Sequence, residues 1–286
     1  MAPTPQPGIF AAALAEHVYL ELDLRPGVNI DDLGRALNAV GEPMPATGAV
    51  NVVAGIRPSL WGNGAEDFTE PVVGPDGFTM PATQHDAWLW LAGADRTALF
   101  DYTRAAFAVL DPVATVATEV TGWMYHHDRD LTGFIDGTEN PPRSLAPGVA
   151  TRDGTGIVLV QQWRHDTGAF EALTRQQQEQ VIGRTKADSV ELDEDHQPPT
   201  SHVSRTVIEQ DGEELKIFRR NTAYGTVRDH GTMFVGFCAS QYPLAEMLRR
   251  MAGVGDGVRD ALTRYTTPLT GAYYVIPPVE ALAALG

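Results

Sequence analysis

The chain has 286 residues, with 21 Lys and Arg against 37 Asp and Glu, and a formal charge of −16; such a surface repels nucleic acid and anionic membranes and favours solubility. Hydrophobic residues make up 43%, enough for a substantial core in two domains of ordinary size or one large one. The single cysteine, Cys238, excludes an internal disulfide. No window approaches ~18 uncharged apolar residues, and Met1 to Gly8 carries neither basic residues nor a long apolar run, which argues against a membrane span, a secretory signal and a twin-arginine leader.

Residues 1–8 are Pro-rich and read as extended. Within Ala13 to Leu24, the alternation Val-Tyr-Leu-Glu-Leu-Asp-Leu predicts a strand. Pro26-Gly27 ends it. Asn29 to Val40 predicts a helix, with Asn29 or Asp31 as its cap and Leu33, Leu37 and Val40 on one face. Ala49 to Gly55 predicts a second strand, residues 61–82 a long loop rich in Gly, Pro and acids, and Ala87 to Ala92 a third strand. Asp95 is the expected cap of a helix running to Leu110, and Val116 to Tyr125 is the next strand.

The second half follows a similar order. Gly156 to Trp163 predicts a strand and Glu171 to Ile182 a helix. Val203 to Glu209 and Glu214 to Arg220 read as a hairpin about Asp211-Gly212. Thr232 to Ala239 is a strand, Pro243 to Met251 a helix and Gly271 to Ile276 a strand. Cys238, in Phe234-Val-Gly-Phe-Cys-Ala239, reads as strand core. Two halves of similar order suggest an internally duplicated α+β protein, an argument from topology, since residue identity between the halves is low. Alternating helices and strands also fit a parallel doubly wound sheet. No Gly-x-Gly-x-x-Gly follows a strand, so dinucleotide binding has no support.

The most specific stretch is Leu131-Thr-Gly-Phe-Ile-Asp-Gly-Thr-Glu-Asn-Pro141. Gly137, without a Cβ, lets the backbone turn or approach a flat ligand closely, and Asn140 before Pro141 is held extended. An isolated Asp-Gly is a turn signal. The full string is more than that: it resembles the Gly-x-x-Asp-Gly signature of the dye-decolourising peroxidases, and in particular their bacterial intracellular, class B-like branch. The resemblance implies two ferredoxin-like halves with antiparallel sheets and peripheral helices, residues 1–135 and a haem-binding 136–286. It also implies haem b, bound non-covalently, and there is no Cys-x-x-Cys-His for covalent attachment.

In that family the Asp of the signature lies over the distal face of the haem, so Asp136 takes that role here, with Gly137 and Thr138 as expected cofactor contacts. Of eight histidines, His202 stands in Ser201-His-Val-Ser-Arg205, matching the His-x-x-Arg setting of the family's proximal iron ligand; it is placed at the start of an apolar strand. An imidazole is the expected axial donor of a peroxidase haem, and its other nitrogen should donate to an acid or carbonyl. Asp260 is the candidate partner, with Glu209 and Glu246 open. Strand alternation puts Leu215, Ile217, Arg219 and Asn221 on one face. A cation on such a face needs a partner or a role. From pattern alone Arg219 reads as a salt bridge at a strand end, and from the resemblance as the distal Arg, with Asn221 as the distal Asn. Arg184, in Ile182-Gly-Arg-Thr-Lys186, and Arg205 could pair haem propionates or be ordinary surface charge. His126-His127 point to opposite faces of a strand and make a poor joint metal site. Trp88, Trp90 and the Tyr residues read as core aromatics that could also relay electrons to a surface substrate.

The implied activity is reduction of hydrogen peroxide at haem, with Asp136 as proton shuttle, Arg219 as electrostatic donor and dyes, phenols or other one-electron reductants as substrates. Removal of iron from haem and a haem carrier or sensor without turnover are the alternatives. A cytoplasmic homo-oligomer is expected. The short tail after Pro278 puts an encapsulin partnership in doubt.

Overall fold

The computed structural model describes residues 3–11, 14–41, 50–126 and 128–285. The predicted strand starts at Ala13 and Ala49, and His127 of the His126-His127 pair, lie outside them. In the first half, β1 (Glu16–Leu24), α1 (Ile30–Gly41), β2 (Val50–Ile56), β3 (Ala87–Gly93), α2 (Arg96–Leu110) and β4 (Ala114–Trp123) follow in order. Local chemistry sets the helix starts. Asn29 Oδ1 accepts from the Asp32 amide at 2.9 Å and Asp95 Oδ1 from the Ala98 amide at 2.9 Å, each satisfying a first-turn donor that has no partner inside its helix.

The second half has β5 (Thr155–His165), α3 (Thr167–Glu171), α4 (Arg175–Ile182), α5 (His202–Thr206), β6 (Phe218–Arg219), β7 (Thr222–Gly225), β8 (His230–Cys238), α6 (Tyr242–Met251), β9 (Thr266–Pro268) and β10 (Ala272–Ile276). Spatial strand order is β4-β1-β3-β2 in the first half and β7-β8-β5-β10 in the second. Each is the fourth-first-third-second arrangement of a ferredoxin-like half, so the duplicated α+β expectation holds. All the strand pairings among the described residues are antiparallel, which disposes of the doubly wound alternative.

The two sheets join edge to edge. β7 pairs β4 through Ala223↔Trp123 and Tyr224↔Gly122, and β10 meets β2 at Val275↔Ile56. Eight strands thereby close into a ring. Because side chains alternate along a strand, one set fills the interior of the ring, including Tyr19, Trp88, Trp90, Phe237 and Tyr274. The other set faces the helices: Val18, Leu20, Leu22, Leu89 and Leu91 meet Leu33, Leu37 and Leu99 in the first half, and Ile157 and Leu159 meet Leu244, Met247 and Leu248 in the second.

Four local expectations are corrected. His202 opens a helix, not a strand: Ser201 Oγ caps it from the Ser204 amide at 3.2 Å, and local capping outweighs the strand preference of Val203. Glu171 to Ile182 is two helices, because Thr174 and Gln177 form a capping box that starts a new one. The hairpin about Asp211-Gly212 shrinks to Glu209–Gln210 with Glu213–Glu214, and Phe218–Arg219 pairs β8 instead. Within the long loop 61–82, Val72–Val73 pairs Thr79–Met80.

Candidate active site

Between the outer face of β5 and β8 and the helices α4, α5 and α6 lies a cavity, with about 850 Å³ of empty space including its open mouth. That far exceeds the ~30 Å³ of a water molecule, so it is no buried-water site. Gln161, Trp163 and His165 of β5 and Thr232 and Phe234 of β8 form its floor, every second residue as the pleat requires. Apolar walls come from Phe134, Ile182, Met247, Met251 and Leu262.

His202 reaches this cavity from the first turn of α5. Its Nδ1 lies 2.7 Å from Asp260 Oδ2, and the Asp260 side chain is wholly buried, its Oδ1 accepting from the Leu262 amide at 2.8 Å. A carboxylate oxygen accepts, so Nδ1 donates to Asp260, and Nε2 has no protein partner among the described residues. Of the three acids considered as partners, Asp260 is therefore the one in contact; Glu209 is exposed and Glu246 pairs Arg249 at 3.4 Å.

Asp136, Arg219 and Asn221 line the same cavity. Asn221 Nδ2 donates to Asp136 Oδ1 at 3.3 Å, and the Gly137 amide donates to the same oxygen at 2.7 Å. Burial pushes the Asp136 carboxyl above the usual carboxylate range and neighbouring Asp130 adds to it, against the pull of Asn221, Gly137 and Arg219. Burial lowers the Arg219 guanidinium, opposed first by Asp136, and at this residue type the group stays cationic. Among the described residues Arg219 forms no ion pair; its contacts are Ile217 O at 3.5 Å and Met247 Sδ at 3.9 Å. The salt-bridge expectation for Arg219 is thus not met, and a half-buried cation faces the cavity without an ion pair among the described residues.

The rest of the signature holds these groups in place. Asn140 Oδ1 accepts from the Arg219 amide at 2.7 Å while its Nδ2 donates to the Arg219 carbonyl at 2.9 Å, so one side chain ties the loop to β6. Gly137 has φ 72°, and a Cβ there would come within 2.9 Å of Asn140 Nδ2, so a larger residue would strain both the backbone and this clamp. Glu139 pairs Arg184 and, at 2.9 Å, Lys216.

The remaining expected site residues stand elsewhere. Arg184 is engaged by Glu139, Glu191 and the Ser189 carbonyl, and Arg205 by Asp256 at 2.8 Å and the Arg250 carbonyl; neither lines the cavity. Gly137 and Thr138 border an adjoining cavity, which shares Asp130, Asp136, Arg219 and Asn221 with the first. Cys238 is buried in β8, its thiol pushed up to about 12 by burial, as expected of a core cysteine.

Four groups at the site were not picked out in the sequence. Asp130 lines both cavities and burial raises its carboxyl. Its bond from the Thr132 amide at 2.7 Å is that of an Asx turn, so it is indistinguishable from an ordinary turn residue in sequence. Gln161 Nε2, His165 Nδ1 and Thr232 Oγ1 are buried without a hydrogen-bond partner. Their signal was polarity at alternate positions of otherwise apolar strands.

The cavity thus sets an acid-supported imidazole, a half-buried carboxyl and a guanidinium without an ion pair among the described residues against apolar walls, in one of two ferredoxin-like halves. The family model for the C-terminal part of the Dyp-type peroxidases matches residues 127–281. The dye-decolorizing peroxidase of Mycolicibacterium paratuberculosis is 36% identical over 215 residues, 71% of this chain and 61% of that protein. That of Rhodococcus erythropolis is 32% identical over 268 residues, 88% and 78% of the two chains. The chain spans 61% and 64% of the length of the M. paratuberculosis and Mycobacterium tuberculosis relatives. Among solved structures, DyPB from Rhodococcus jostii superposes with a TM-score of 0.88 at 32% identity, over 99% of this chain and 98% of that one. A variant of it in complex with heme gives 0.87 at 31%, over 99% of each chain. The encapsulated DyP-type peroxidase from Mycobacterium smegmatis gives 0.86 at 30%, over 98% of each. The chain belongs to the dye-decolourising peroxidase family.

Proposed function

We propose that this protein is a haem-dependent peroxidase that reduces hydrogen peroxide and oxidises dyes, phenols or other one-electron donors. The observation that carries the reading is that His202, backed by Asp260 at 2.7 Å, and the Asp136–Asn221–Arg219 group share one cavity. The residues fit haem: an imidazole whose Nε2 has no protein partner among the described residues, apolar walls, and a floor on which Gln161, His165 and Thr232 keep polar atoms unpartnered. His202 would hold the iron, and Asp260 would raise the basicity of the imidazole. Bound haem supplies the redox chemistry with peroxide and with the electron donor.

The chain's own groups handle protons and charge. Asp136, when ionised, takes a proton from peroxide and returns it to the departing oxygen. Asn221 fixes the Asp136 carboxyl through Oδ1. Arg219 offers N–H donors to the oxygen on which negative charge develops, and such a donor gains strength as solvent is excluded. Arg184, Arg205, Gly137 and Thr138 are left to the shell around the cofactor, since their contacts in this structure are to protein or to the adjoining cavity. The division into residues 1–135 and a haem-binding 136–286 is part of the same reading, as are a cytoplasmic location and a homo-oligomer. Among the described residues no helix is long and apolar enough to cross a membrane. We carry no shell partner over from the encapsulated neighbour.

The deciding experiment is an absorption spectrum of the haem-loaded protein before and after one equivalent of peroxide, with His202→Ala alongside. A peroxide-dependent shift of the Soret band in the parent, and loss of most haem from the variant, are expected. Free iron with intact porphyrin, or a spectrum indifferent to peroxide, would overturn the reading.

A further inference from the structure

Arg220 follows Arg219 in the chain and has no part in the chemistry just described. Successive side chains of an extended segment point to opposite sides. Arg219 lines both cavities, whereas Arg220 lines only the adjoining one, which has about 1560 Å³ of empty space including its open mouth. Arg220 is half-buried. Its Nη1 donates to the Ile9 carbonyl at 3.0 Å and to the Ala11 carbonyl at 2.8 Å, which ties one end of the guanidinium to the N-terminal segment. Its Nε and Nη2 make no hydrogen bond among the described residues, and no acid pairs it there.

Arg143 lines the same cavity, is exposed, and forms no ion pair among the described residues. It comes directly after the signature string, on a turn in which the Leu145 and Ala146 amides donate to the Pro142 carbonyl at 2.8 and 3.0 Å. The two guanidiniums feel each other: burial lowers that of Arg220, opposed by Tyr19 and Asp128 and reinforced by Arg143. The whole cavity leans the same way. Arg129, Arg143, Arg219 and Arg220 line it against three carboxyls, those of Asp128, Asp130 and Asp136. The excess is positive even with every carboxyl ionised, and burial raises Asp130 and Asp136 toward the neutral form. His17, on the same wall, adds no charge, since burial lowers its pKa to about 4. In a chain with a formal charge of −16, the sign is reversed here. Arg129 is engaged by the carbonyls of Gly133, Lys186 and Ala187, and Arg219 also faces the main cavity. That leaves Arg143 and Arg220 for a ligand. Like charges sharing a cavity repel, and an anion between them relieves the repulsion.

We propose that the adjoining cavity binds an organic carboxylate with a flat apolar body, its carboxylate between Arg143 and Arg220 and its body along Phe10 and Phe218. A guanidinium meets a carboxylate best through two parallel N–H donors, and Nε with Nη2 is such an edge of Arg220, the one that the N-terminal carbonyls leave untouched. The Phe10 and Phe218 rings stack with centroids 5.9 Å apart and 26° between planes, and both border the cavity beside Met124 and Ile135. They offer the ligand an apolar face. An inorganic anion leaves that face uncovered, and a neutral aromatic leaves the guanidiniums unpaired. A molecule with both parts satisfies the two together. Binding requires no step at haem, so it stands or falls apart from the peroxidase reading.

The test is isothermal titration calorimetry of the haem-loaded protein with naphthoate, which has no readily oxidised group. Naphthalenemethanol serves as the neutral match and inorganic phosphate as the anion without a body. The parent is expected to bind naphthoate at a single site per chain, more weakly as salt is added, and to bind either control roughly tenfold more weakly or worse. Arg143→Ala, at an exposed residue, should weaken naphthoate by about threefold or more. Arg143→Glu should abolish binding while the Soret band and the unfolding midpoint stay at the parent's values. Arg220→Gln, which removes the paired donors, should weaken binding by roughly tenfold or more. Equal affinity in the parent and Arg143→Glu overturns the proposal, as does equal affinity for naphthoate and naphthalenemethanol. A haem-loaded parent that takes up no naphthoate overturns it as well; if haem retention then falls in Arg143→Glu, the cofactor's own carboxylates fill the site.

Discussion

The two halves of the molecule share one strand order and differ in what lies between sheet and helices. In the first half a long helix, α1, lays Leu33, Leu37 and Val40 on Val18, Leu20 and Leu91. In the second half the corresponding connection is broken into α3, α4 and α5, and the sheet presents Gln161, His165 and Thr232 where the first half has leucines. Short helices cannot cover a whole sheet face, and polar floor positions do not drive one to collapse onto them. A fold that packs one sheet face under a long helix thus opens a cavity over part of the other, and Asp136, His202, Arg219 and Asn221 all stand around that opening.

Leu37→Ala should break this contrast most heavily if it is wrong. Leu37 is fully buried, and its truncation is expected to cost about 2–5 kcal/mol in urea unfolding without changing haem content per folded molecule. Met251→Ala, which only widens an existing cavity, should cost less; equal losses would mean that the second half is packed like the first.

Next in size is the pair of site charges. Arg219→Ala and Asp136→Ala should each slow the peroxide reaction by roughly 10²-fold or more, Arg219→Ala the more, as read by stopped flow. Ordered water can stand in for a proton shuttle, and the other residues of that chain segment, Leu215, Ile217 and Asn221, offer no second cation. Since burial raises the Asp136 carboxyl and only the ionised form is a base, the parent rate should rise with pH through an apparent pKa above the usual carboxylate range. Asp136→Ala should lose that rise. A larger loss in Asp136→Ala than in Arg219→Ala would reverse the ranking.

The smallest effect sharpens the comparison. Asp95 caps α2 in the solid half and Ser201 caps α5 in the open one. Either change to Ala should cost about 1 kcal/mol of stability. Only Ser201→Ala is expected to speed haem loss to a scavenging apoprotein, because only that helix carries His202. Equal haem retention in the two variants would separate α5 from the cofactor.

Much of the fold and part of the site are legible in the amino-acid sequence. Asp95, the alternation in β1 and the leucines of α1 declare themselves because cap chemistry and periodicity are local, and the Leu131 to Pro141 string leads to Asp136. Other features depend on partners distant in sequence. His202 sits in a helix of five residues, too short to show a period, with β-branched Val203 pointing the other way. Arg184 and Arg205 look free to meet a ligand because Glu139 and Asp256 lie far off in the chain. Asp260 is one acid among three until folding puts it 2.7 Å from His202.

The closed ring of strands has a consequence for how the molecule comes apart. Each half lends its edge to the other, at Ala223↔Trp123 and at Val275↔Ile56. Half a ring would present β2 and β4 as bare edges, flanking an inner face of Tyr19, Trp88 and Trp90, and bare edges invite pairing with other chains. The duplication therefore works as a mutual chaperone: neither copy can be released without exposing what the other conceals, and loss of the seam should convert a well-behaved molecule into an aggregating one in a single step.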